Sequence, residues 1–117
     1  DANVAQQLKC RLLVEAANGP TTLDGEDVLR ERDIEVIPDV MANAGGVVVS
    51  YFEWIQNKRS ESWQLEEVDS RLLFMMKRAY HEMRAFARER GVDNRTAAFA
   101  VALNRLNAVY TERGVFP

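Results

Sequence analysis

Five residues have the types and spacing to hold a small polar molecule: Asn18, Asn43, Gly46, Val47 and Ser50. Asn43 stands just before an expected helix, where an asparagine side chain can satisfy one of the unpaired first-turn amides. Gly45 and Gly46 follow in that first turn. Glycine in a helix costs about 1 kcal/mol relative to alanine, so two in succession imply that something approaches the backbone closely. A helix start suits such an approach, because its free amides and positive dipole end attract carboxylates. Positions 43, 46, 47 and 50 share one helical stripe over about 10 Å of rise. The stripe reads polar, empty, apolar, polar, which fits a small-molecule groove. It also fits a helix packed tightly on another, with Ser50 bonded back to its own turn. Geometry alone favours that second reading.

Other reactive residue types lead nowhere comparable. His81 lies among Lys77, Arg78, Arg84 and Arg88 with no carboxylate or cysteine spaced to orient it, the pattern of a solvated basic face. One cysteine and one histidine do not make a zinc site without a carboxylate cluster. A lone Cys10 excludes an internal disulfide and fits a reducing, cytoplasmic compartment; its place before an apolar run marks it as packed rather than reactive. The arginine face is broken by Glu82 and Glu89 and lacks interleaved aromatics, and the net charge is −3. Nucleic acid is therefore not an expected partner. Nor is a membrane, since no apolar run nears the roughly 20 residues that span a bilayer. Tyr51, Phe52, Trp54 and Trp63 pack helices together or mark a subunit contact. No Gly-x-Gly-x-x-Gly is present, so dinucleotide binding does not follow from a phosphate loop.

The elements that must position these residues begin with a weakly helical segment at 2–9. The apolar run from Arg11 to Ala16 has the length of a buried strand. A loop at 17–22 with Gly19-Pro20 follows, then a helix over 23–32 with Val28 and Leu29 inward. Asp33 ends it, and Ile34–Ile37 is a second strand. Strand, helix and strand make one βαβ unit with parallel strands. Both following loops then emerge at the carboxyl edge, where open parallel sheets bind ligands, so Asn18 and Asn43 are expected to face one crevice. Two parallel strands are not independently stable, and the chain opens without a start methionine. Further strands are expected upstream, which makes this chain a fragment.

The remainder is helical. The helix from Asn43 gives way to a polar breaker at 57–62. With Ser62 as cap, a long helix is predicted over 63–90, with Leu65, Val68, Leu72, Met76, Ala79, Met83 and Phe86 as its core stripe. Gly91 stops it. A final helix opens after Asp93 and runs to Arg113, burying Ala98, Val101, Ala102, Leu106 and Val109, with Gly114 as its stop. The fold class is α/β, predominantly helical.

Three ordered motifs carry a resemblance. They are Glu15-Ala16-Ala17-Asn18-Gly19-Pro20-Thr21-Thr22, Val36-Ile37-Pro38-Asp39, and Asn43-Ala44-Gly45-Gly46-Val47 through Ser50-Tyr51-Phe52-Glu53-Trp54. With Trp63, Glu66-Glu67-Val68 and Arg95-Thr96-Ala97-Ala98, the chain resembles the C-terminal part of hexameric glutamate dehydrogenases over nearly its whole length. Asn43–Val47 alone is shared with leucine and phenylalanine dehydrogenases; Ser50–Trp54 points to glutamate. The resemblance implies oxidative deamination of L-glutamate to 2-oxoglutarate and ammonia with NAD or NADP. It also implies that residues 1–42 end a Rossmann-like NAD(P)-binding domain and that 43–117 form a helical C-terminal region of three helices.

By the same resemblance, Ser50 donates to the substrate's side-chain carboxylate and Val47 lines the pocket for its methylenes. Asn18 and Asn43 sit beside the nicotinamide end of the cofactor and the substrate. These roles fall on the stripe and loops already singled out, which shifts the reading toward the groove. The family's catalytic lysine and aspartate belong to an upstream region, so no catalytic residue is assigned here, the fragment alone is expected to be inactive, and a homo-hexamer is implied for the parent. Two alternatives stand beside this: a free-standing helical interaction domain, and a branched-chain or aromatic amino-acid dehydrogenase.

Overall fold

A computed structural model describes residues 1–114. Asp1 caps α1 (Ala2–Gln7), its carboxylate accepting from Val4 N at 3.0 Å. β1 (Leu12–Val14) and β2 (Glu35–Ile37) pair in parallel, Leu12 opposite Glu35 and Val14 opposite Ile37. Between them runs α2 (Leu23–Glu31), so the βαβ unit read from the apolar spacing is present. Leu29, 1% exposed, anchors it against Ala5 and Ile34, with Leu13 and Val36 joining from the sheet. Asp33 closes α2 in the left-handed region at φ 54°, a conformation Asp tolerates better than most residues.

Both strands are shorter than their apolar runs, although pairing continues at the ends: Glu35 N donates to Arg11 O and Glu15 N to Ile37 O, each at 3.1 Å. Alternation along β2 therefore turns the Val36 carbonyl away from β1. Asn94 Nδ2 donates to that carbonyl at 2.8 Å, seating the start of the last helix on the sheet edge.

After β2 the chain departs from expectation. Where a loop is expected after the second strand, one helical turn forms, α3 (Asp39–Ala42), with Pro38 ahead of it. Its Asp39 N donates to the buried Glu15 carboxylate at 3.0 Å. α4 follows (Ala44–Arg59) and extends into the expected breaker at 57–62. Lys58 and Arg59 suit the negative end of the helix, and the stop falls at Ser60 in the left-handed conformation.

α5 spans Leu65–Arg90 and α6 spans Asn94–Arg113. Ser62 does not cap α5; that position belongs to Gln64, which makes no side-chain cap bond. The connecting turn is held instead by Gln56 Oε1, which accepts from Trp63 N at 2.7 Å. Gly91 ends α5 in the left-handed region and Asp93 caps α6 through Thr96 N, both as read.

α3, α5 and α6 share a second core of Met41, Met83, Ala87 and Ala97, with Ile37 reaching in from β2. The predicted apolar stripes are only partly buried. Leu65 is 69% exposed and Leu106 56% exposed, and Val109 and Ala102 are exposed as well. The helices meet along the Met83–Ala97 contact, and both stripes run beyond it into solvent.

Candidate functional site

The start of α4 carries the stripe. Asn43 occupies the cap position but has helical backbone angles (φ −90°, ψ −3°), continuing from α3, and its side chain makes no cap bond. It is exposed. The extended conformation that aims a capping oxygen at the first turn is absent, so the expected capping role is not played. The two glycines differ. A Cβ on Gly45 would make ordinary contacts with Leu72 and Met76 of α5 at 3.8 and 3.9 Å, whereas one on Gly46 would meet nothing within 4 Å. Gly45 faces the neighbouring helix; Gly46 faces open space.

Val47, 74% exposed, continues the open stripe, and Ser50 ends it, also exposed. The Ser50 hydroxyl donates to Gly46 O at 3.0 Å. Of the two geometric alternatives, the back-bonded serine is present, while among the described residues no second helix covers Gly46 and Val47. An open apolar surface with a hydroxyl one turn away is what remains. Its lone pairs are free, and its proton becomes available to a carboxylate if it rotates off Gly46 O.

Asn18 is exposed in the loop after β1. Gly19 follows with φ +55°, a conformation costly for any residue with a Cβ, and its N–H donates to Asp39 Oδ2 at 2.7 Å. The loop bearing Asn18 is thus tied to the residue four positions before Asn43, about 6 Å of helical rise. Both loops sit at the carboxyl edge of the sheet, as the parallel pairing requires.

A charged cluster lies beneath them. Glu15, 3% exposed, accepts from Thr21 Oγ1 (2.6 Å), Asp39 N (3.0 Å) and Arg95 Nη2 (2.5 Å). Burying a carboxylate is costly unless it is paired and bonded, and these three donors meet that requirement. Arg95 also reaches Glu26 Oε1 through Nε at 2.6 Å and Asp39 Oδ1 through Nη1 at 2.8 Å. A cation in the first turn of α6 opposes the helix dipole; three carboxylates reverse that penalty. The amides of Gly19 and Val40, and then Arg95, hold the Asp39 carboxyl below its ordinary value despite partial burial. Burial opposes the charge on Arg95, yet Glu15, Glu26 and Asp39 outweigh it and raise its pKa.

Sequence reasoning gave Glu15, Asp39 and Arg95 no role of their own. Glu15 and Arg95 are 80 positions apart, beyond any local pattern. The available signal was an arginine placed against the dipole at a helix start, which demands acidic partners from elsewhere.

The exposed amides of Asn18 and Asn43 each offer a donor and an acceptor at this edge. Comparison with known proteins agrees with the fold and the motifs. A family model described as Glutamate/Leucine/Phenylalanine/Valine dehydrogenase matches residues 1–114. Glutamate dehydrogenase A2 of Halobacterium salinarum is 46% identical over 98% of this chain, which spans 28% of that relative. The crystal structure of glutamate dehydrogenase from Peptoniphilus asaccharolyticus superposes with a TM-score of 0.94 at 37% identity, covering 99% of this chain and 29% of its own. The leucine-bound hetero-hexameric glutamate dehydrogenase of Thermus thermophilus gives 0.92 at 33% identity, over 100% of this chain and 28% of its own. Relatives include NAD-specific and NADP-specific glutamate dehydrogenases. The chain thus spans less than a third of the length of the proteins it matches.

Proposed function

Because this chain belongs to the glutamate/leucine/phenylalanine/valine dehydrogenase family, we propose that it is the C-terminal part of an NAD(P)-dependent glutamate dehydrogenase. The complete protein would convert L-glutamate to 2-oxoglutarate and ammonia. The observation that carries the reading is the match to glutamate dehydrogenases across essentially the whole chain, including an α4 whose first turns leave Gly46, Val47 and Ser50 uncovered.

In this reading residues 1–42 close the cofactor domain and residues 43–114 belong to the helical region after it; positions 115–117 of that expected segment lie outside the described residues. Val47 lies along the substrate methylenes and Ser50 turns its hydroxyl from Gly46 O toward the distal carboxylate. Asn18 and Asn43 hold the carboxamide end of the cofactor. When bound, the nicotinamide accepts the hydride; this chain's own residues bind and orient. The proton-handling lysine and aspartate would come from outside it. The long uncovered faces of α5 and α6 suit a homo-hexameric parent, and nothing in the charge pattern calls for nucleic acid. No helix among the described residues is long and apolar enough to cross a membrane.

The test compares the purified chain with the complete gene product. Glutamate-dependent NADH or NADPH formation is expected from the complete protein and not from the chain alone. Faster turnover of leucine, valine or phenylalanine than of glutamate would move the assignment to a sibling enzyme. Turnover by the isolated chain would show that its catalytic groups had been placed in the wrong segment.

A further inference from the structure

The Arg95 cluster is not a ligand site, since three carboxylates around one guanidinium leave an excess of negative charge and none of its buried side-chain polar atoms lacks a partner. Its bonds lead elsewhere. Glu15 holds the loop after β1 through the Thr21 hydroxyl and holds the start of α3 through Asp39 N. Asp39 returns to the loop through Gly19 N. Arg95, arriving from α6, donates to both carboxylates at once. Two loops that belong to different parts of the chain are therefore fastened to each other and to a third element through one side chain.

We propose that Arg95 is a positioning residue that sets the loop bearing Asn18 and the α3–α4 entry bearing Asn43 in register with each other, acting through Glu15 and Asp39 without touching a ligand. The inference rests on reading those two segments as the cofactor edge. The chemistry requires arginine. Its planar fork sends Nε, Nη1 and Nη2 to three separate carboxylates, a geometry that a single lysine ammonium does not reproduce. Without it Glu15 and Asp39 repel across a short gap, and the loops separate. A cofactor that meets loosened loops must order them on binding, which lowers its affinity while leaving the chemical step of a formed complex largely intact.

The experiment uses the complete protein with Arg95→Gln, Arg95→Lys and, in case either fails to fold, the near-isosteric Asp39→Asn. Two readouts are taken. In steady-state kinetics the KM for NAD or NADP is expected to rise about tenfold in Arg95→Gln with kcat within threefold of wild type, and Arg95→Lys to recover only part of that rise. In amide hydrogen exchange, peptides covering 16–22 and 38–43 are expected to lose protection together, with α2 and α5 unchanged. A folded variant with unaltered cofactor KM, or exchange that rises in one loop only or uniformly, overturns the proposal. If wild-type protein shows no glutamate-dependent reduction, the enzyme reading fails by itself, and the exchange result still decides whether Arg95 couples the loops.

Discussion

At the scale of single residues, Gly46 and Ser50 make separable predictions. A Cβ at Gly46 meets nothing in this chain, so Gly46→Ala should raise stability by up to about 1 kcal/mol through helix propensity, seen as a higher urea midpoint. In the complete enzyme the same methyl occupies the space proposed for glutamate, so the KM for glutamate should rise while the fold gains. A stabilised variant with unchanged KM would show that the opening serves no ligand. Ser50→Ala removes a hydroxyl now bonded to Gly46 O. Binding exchanges a neutral bond, worth about 1 kcal/mol, for one to a carboxylate, worth about 1.5–3 kcal/mol. The net loss in kcat/KM for glutamate should therefore be roughly twofold to thirtyfold, and an unaltered value would remove Ser50 from the site.

At the scale of elements, α6 offers the cleanest test. Asp93 accepts from Thr96 N at 2.9 Å and from the Thr96 hydroxyl at 2.8 Å. Burial alone would raise its carboxyl pKa, but these two bonds, together with its own amide and the nearby Arg30 charge, outweigh it and hold it below the ordinary 3.8. A lowered folded value means the cap is fully stabilising above 3.8 and is lost as pH falls through the folded value. Asp93→Ala should cost about 1 kcal/mol in urea unfolding at neutral pH, and the gap to wild type should narrow on acidification below 3.8. A gap independent of pH would mean that something other than the charged cap stabilises this helix start. That cap was readable in the sequence, as was Gly91, because each depends on neighbours a few residues away; the parallel strand pair and buried Leu29 were readable because strand-helix-strand order and apolar spacing mark them. Ser62 misled because Gln56, accepting from Trp63 N seven positions on, took over the turn that a local cap would have set. The helical turn at Asp39 was missed because its first amide is satisfied by Glu15, 24 positions upstream. The stripes ending at Leu65 and Leu106 marked faces that need covering; apolar periodicity carries no information about whether the covering atoms belong to the same chain.

At the scale of the whole molecule, the dimensions express that same incompleteness of burial. A compact domain of this length has a radius of gyration of about 13 Å, whereas the value here is 17.3 Å. Accessible surface is 8814 Å², against roughly 6,450 Å² expected for a folded monomer of 13.3 kDa. The excess is about three times what one partner contributes to a standard interface. Part of it is apolar along α5 and α6, where Leu65, Phe74, Phe99, Leu103, Leu106 and Tyr110 are all exposed. β1 adds half-exposed Leu12 and Val14 on a strand edge with no pairing partner among the described residues, a surface that invites further pairing. The isolated chain should therefore self-associate. Light scattering is expected to show mass rising with concentration, and Leu103→Lys with Leu106→Lys should shift the distribution toward monomer by placing charges on the α6 face. If the double variant leaves association unchanged, the β1 edge is the contact, and a proline at Leu12 should then break it. A wild-type chain that stays monomeric at high concentration would mean that these apolar faces are satisfied in solution by a rearrangement of α5 and α6 against each other.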